Sequence, residues 1–203
     1  MLSRMAWHLF WLGRYAQRTI GNAKVTGVAT ARHLLPPGAG GGEQPWRDAL
    51  AICSDQSDFD TRFSSLAATN VLVHLVMEDA NASSLKQCIA QARENARIAR
   101  GHVSPEAWES INDTWLDLLA LDNKRYSVEE LAGLAERIAG RMHHFIGTVH
   151  GSLLHDDAFQ WILIGGDIER AVHTNYLLQV GAASGEDPAR WEAVLALAGA
   201  ETA

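Results

Sequence analysis

Arg14 and Arg18 lie four residues apart and share one face of any helix that carries them. Arg93 and Arg97 repeat the spacing, with Arg100 one turn further on. Glu169-Arg170 sets a carboxylate beside a cation, and Glu94 and Asn95 sit between the arginines of the second pair. Guanidinium groups hold carboxylates and phosphates bidentately. Arg14, Arg18, Arg93, Glu94, Asn95, Arg97, Glu169 and Arg170 are therefore candidates for one buried polar cluster able to grip an anionic ligand. The same residues also suit a salt-bridge network that fixes helix register, or a solvated face. The sharpest expectation is that Arg14 or Arg18 meets Glu169.

Other chemistries are poorly supplied. His143, His144, His150 and His155, followed by Asp156 and Asp157, form a dense run of possible metal ligands. A di-metal bundle needs Glu-x-x-His on two helices, and no Glu here has a His three residues later. Glu169 and His173, four apart, can touch without making that motif. Cys53 and Cys88 lack an activating context, and there is no Gly-x-Ser-x-Gly elbow. Gly38–Gly42 lacks the Gly-Lys-Ser/Thr ending of a phosphate loop and reads as a linker. The sequence thus predicts no catalytic residue, no metal and no cofactor.

Helices must position these groups. Ser3 is placed to cap a first helix with the seam Met5, Leu9, Leu12, Ala16, Ile20, Ala23, ending near Leu34 before Pro36–Gly42. Trp7, Phe10 and Trp11 lie off that seam, so the helix is apolar nearly all round and should be central. Pro45-Trp46 opens a short helix, Asp55–Ser65 is polar and gives no clear element, and Ala67–Met77 forms another helix. Ser83 or Ser84, Ser104-Pro105, the Ser127–Glu130 capping box and Asp187-Pro188 start four more. A long helix over about 156–180 completes an all-α bundle without strand alternation. Trp7, Trp11, Trp108, Trp115 and Trp161 fall at or beside seams and read as core. Trp46 and Trp191 start helices and also read as core, with a partner-facing anchor as the alternative.

One pattern occurs twice. Trp7–Arg18 returns as Phe159–Arg170 at an offset of 152 residues, from Gly13 to Gly165 and from Arg18 to Arg170. Each copy is followed by a Trp-led helical start, at Trp46 and Trp191. This suggests an internal, incomplete duplication within a single domain of residues 1–203. The first copy would span about 1–100, connecting helices about 104–154, and a partial second copy about 156–203.

Of the 203 residues, 47% are hydrophobic and 20% charged, a globular composition. The net charge of −7 argues against nucleic acid as a partner. Residues 1–42 nonetheless hold five basic residues and no acid. That is also how a transit peptide begins, but recurrence of the segment inside the chain speaks for structure. Met5–Leu12 is too short to span a bilayer, so no membrane is expected. Two isolated cysteines fit a reducing cytoplasm.

Met1-Leu2-Ser3-Arg4 with Trp11-x-Gly13-Arg14, Asn81-x-Ser83-Ser84, Ala92–Arg97, Trp108-Glu109-x-Ile111-Asn112 and Ile168–Ala171 together resemble the alpha-E domain family. The resemblance implies an all-helical bacterial domain with a Glu-Arg motif. It also implies genetic association or fusion with circularly permuted ATP-grasp ligases and transglutaminase-like cysteine peptidases. Here Gln17-Arg18 replaces Glu-Arg in the first copy, and Gly166 stands where the first copy has Arg14. The family usually continues through a fuller second half, so the chain is expected to be a shortened member or to rely on another chain.

The leading expectation is a non-catalytic helical adaptor in a peptide- or amide-bond-forming system. Its protein partner, an ATP-grasp ligase or transglutaminase-like protein, is implied by the resemblance, and a homo-oligomer is also possible. The alternative is an enzyme or ligand-binding domain using Arg14, Arg18, Glu169 and Arg170. A deep inter-helix cavity lined by these side chains would favour the alternative; a filled, dry core would favour the adaptor.

Overall fold

Leu9, Leu12, Ala16, Ile20 and Ala23 are buried along one side of a helix spanning Ser3–His33 (α1), as their spacing requires. The computed structural model describes residues 2–36, 41–54, 56–121, 125–183, 185 and 187–199. Most of the Pro/Gly linker, residues 37–40, lies outside them. The helices that follow are Gln44–Cys53 (α2), Gln56–Arg62 (α3), Ala68–Val76 (α4), Leu85–Ile98 (α5), Pro105–Leu119 (α6), Val128–Ser152 (α7), Asp157–Ala183 (α8) and Pro188–Ala198 (α9). A 3-10 turn at Arg100–His102 links α5 to α6. Among the described residues there is no strand, and no helix is long and apolar enough to cross a membrane.

Most helix starts follow the expected chemistry. Ser84, Ser104, Ser127 and Asp187 each accept a backbone N–H in the first turn, and Ser127 and Glu130 complete the capping box. Asp156 Oδ1 accepts from the amides of Ala158 and Phe159 and so starts α8. One expectation fails, and one segment the sequence left unassigned is helical. Ser3 is inside the first turn, with Leu2 at the cap and no side-chain bond. Residues 56–62 are helical because Phe59 anchors a short turn in the core, stacked on Phe63.

α1 is the central rod and packs against α8, α5, α7 and α2, with α4 and α9 touching it more briefly. α5 runs antiparallel to it: Asn22 Nδ2 donates to the Ser83 carbonyl at 3.0 Å, while His8 Nδ1 donates to Asn95 Oδ1 at 2.8 Å. α8 runs parallel to α1, since the contacts climb together from Trp7 and Trp161 through Gly13 and Ile162 to Gly21 and His173. The crossing is reciprocal. A Cβ on Gly13 would sit 2.0 Å from the Ile162 carbonyl oxygen, and one on Gly165 would sit 2.0 Å from that of Phe10. Only glycine lets the two backbones approach so closely.

The tryptophans divide. Trp46 is wholly buried, and half-buried Trp191 packs on Gly181 and donates to the Gly185 carbonyl. Trp7 and Trp161 are 59% and 38% exposed, against expectation, because they flank the α1–α8 seam instead of entering it. They line an apolar groove with Ala6 and Phe10.

Candidate anion site between the first, second and eighth helices

Arg14 and Arg18 project from consecutive turns of α1 toward α8, where Glu169 reaches back between them. Arg14 Nε donates to Glu169 Oε2; Arg18 donates through Nε to Oε1 at 2.6 Å and through Nη2 to Oε2 at 3.1 Å. The Glu169 side chain is only 6% exposed. A buried carboxylate needs such compensation, since desolvation would otherwise cost several kcal/mol, on the order of a whole domain's margin. Aromatic faces hold the cations in place: Arg14 Cζ lies 5.2 Å from the Trp11 ring centroid, and Arg18 Cζ 5.4 Å from that of Tyr15. Burial pulls the Arg18 pKa down, but the hydrogen bond and charge of Glu169 outweigh it and raise it.

This triad walls a cavity of about 580 Å³. Asn22 of α1, Ala51 and Ile52 of α2, and Val172, His173 and Tyr176 of α8 complete most of the lining. His173 lies against Gly21, with its Nε2 buried and without a hydrogen-bond partner among the described residues. Burial lowers its pKa, Glu169 opposing more weakly, so the ring is neutral at neutral pH. Cys53 also borders the space. Burial pushes its pKa up, and pushes that of Cys88, near Arg18, up to about 12, so neither is a thiolate nucleophile.

The remaining candidates are elsewhere. The buried stripe of α5 is Leu85, Cys88, Ile89, Ala92 and Ala96, which turns Arg93 and Arg97 away from the triad. Arg93 donates to Asn112 Oδ1 at 2.8 Å and stacks on Trp108. Arg97 pairs with Glu94 one turn back, at 2.7 and 2.8 Å. Asn95 is buried but serves His8 and the Gln91 carbonyl. Arg170 points to the opposite flank of α8, paired locally with Asp167. The cluster expected from eight residues is therefore three. Asn22, Ala51, Val172 and Tyr176 were not anticipated; for Val172 and Tyr176 the signal was their place one and two turns beyond Glu169.

No group of three or more His, Cys, Asp or Glu residues able to hold a metal occurs among the described residues. His155 is stacked on Phe159 at 4.1 Å and His150 meets the same ring edge-on at 5.2 Å, while His143 and His144 are exposed on α7.

The all-helical architecture agrees with the family comparison. Alpha-E, described as a predicted alpha-helical domain with a conserved ER motif, matches residues 1–203. The chain belongs to the Alpha-E family. No curated protein and no solved structure matches it. In this Alpha-E chain Glu-Arg occurs at 136–137 and at 169–170, and in the second pair the two side chains face different ways: Glu169 the cavity and Arg170 the opposite groove.

Proposed function

We propose that this chain is a non-catalytic helical binding domain that holds a small anionic ligand for a peptide- or amide-bond-forming system. The observation that carries the reading is the cavity walled by Arg14, Arg18 and Glu169, the feature that separates a ligand domain from a filled scaffold. The system itself is suggested by the family resemblance to chains found beside ATP-grasp ligases and transglutaminase-like peptidases. A melting-temperature screen against small anions at fixed ionic strength tests the reading. A ligand at about 100 times its Kd adds about 2.7 kcal/mol of stability. The shift should vanish in Arg14→Gln, and no shift with any anion would refute the reading.

A second reading, the adaptor, is favoured by the outer face of α8. Trp161, Ile164, Ile168 and Leu178 recur at helical spacing there and are 38–52% exposed. Such a stripe suits a protein partner, the ATP-grasp ligase or transglutaminase-like protein, or a second copy of the chain. Co-purification that is lost in Ile164→Glu/Ile168→Glu supports it; a monomer that captures neither protein counts against it. The reciprocal crossing of α1 and α8 supports reading the two segments as an incomplete duplication.

A further inference from the structure

Glu169 takes the Nε of both arginines and one Nη of Arg18. Both Nη groups of Arg14 and Nη1 of Arg18 meet no acceptor among the described residues, although the side chains are only 16% and 22% exposed. These donors open onto the cavity and its solvent, where an anion with oxygen acceptors can take the place of water. The charges narrow the choice. Among the described residues, two cations and one carboxylate leave +1 at the cavity wall, and neutral His173 adds nothing. A monoanion balances that charge. A phosphate dianion would leave a net negative charge beside buried Glu169, where repulsion is poorly screened.

A second feature selects what carries the charge. Asn22 uses its Nδ2 on the Ser83 carbonyl, leaving Oδ1 to accept an N–H in the same cavity. Ile52 and Val172 supply an apolar wall. We propose that the ligand is a monocarboxylate with an adjacent amide N–H and a short apolar side chain, the chemistry of a peptide C-terminus or an N-acylamino acid. The carboxylate takes the free Nη groups, the amide donates to Asn22, and the side chain lies on Ile52 and Val172. This rests on the anion-site reading above and narrows it. The volume of about 580 Å³ admits a ligand of this size with room beyond it for a longer peptide or acyl chain.

Isothermal titration calorimetry on the full chain at pH 7.5 tests it with three probes: N-acetyl-leucine, N-acetyl-leucinamide and inorganic phosphate. The acid should bind one to one, and the amide and phosphate about ten-fold or more weakly, since amidation leaves guanidinium donors without a charged acceptor. Arg14→Gln should weaken the acid to the level of the amide. Ala51→Phe, at an exposed position on the cavity wall, should abolish binding without lowering the melting temperature. Equal binding of acid and amide, or binding unchanged in Ala51→Phe, overturns the proposal. Phosphate binding tighter than the acid overturns the carboxylate assignment and leaves the anion site standing; no heat from any probe removes both.

Discussion

Gly13 rests on the carbonyl of Ile162 while Gly165 rests on that of Phe10, so α1 and α8 touch backbone to backbone at a shared point. A methyl group at either position must push the helices apart. Gly13→Ala and Gly165→Ala should each lower stability by about 1–3 kcal/mol, the usual cost of overpacking, or more. Gly27 and Gly140 lie in helices with open space where a methyl group would project. Alanine there should add up to about 1 kcal/mol through helix propensity. Urea midpoints of the four variants read both signs.

Glu169 is the anion that lets Arg14 and Arg18 stay in the bundle. Glu169→Ala should cost about 3–5 kcal/mol, because two half-buried cations lose their counter-charge. Glu169→Gln keeps an acceptor and should cost less. Arg170→Ala removes only a local pair with Asp167 at the surface and should change stability by under about 1 kcal/mol. Chemical denaturation separates the roles of Glu169 and Arg170; equal effects would contradict the geometry.

Burial lowers the pKa of both His74 and His173 in the folded state. The unfolded chain then binds protons more readily, so the stability these residues contribute is complete above their ordinary pKa of about 6.5. It is lost as pH falls through their folded values. Melting temperature should be level just above neutrality and fall from about pH 6.5 downward, with a shallower fall in His173→Gln. An identical slope in that variant would show that His173 does not contribute.

Both cysteines are buried, and burial raises their pKa values. Iodoacetamide at pH 8 should label neither thiol in the native protein and both in denaturant, as mass spectrometry can count. Labelling of Cys53 alone under native conditions would show that the cavity opens to reagents.

The helices were legible because their ends carry local chemistry: Ser84, Ser104, Ser127 and Asp187 announce themselves within four residues. The meeting of Arg14 and Arg18 with Glu169 was legible because the same pattern frames both helices. The role of Arg93, Arg97 and Arg170 was not, since spacing gives a shared face without saying which way it turns. The stripe from Leu85 to Ala96 fixes that direction in α5, and local partners at Glu94 and Asp167 satisfy the outward cations. The cavity was not legible either, because Ala51 and Asn22 join its wall only once α2 folds back on α1.

The parallel placement of α1 beside α8 has a cost in time. Two rods pointing the same way cannot be joined by a tight turn, so everything between His33 and Asp157 must be threaded before they meet. During synthesis the first helix leaves the ribosome long before its principal neighbour exists, with the face around Gly13 that α8 will cover still open. Such distant closure slows folding and exposes the chain to aggregation. For the α1–α8 seam the interval ends when Glu169 emerges and the two arginines close around it.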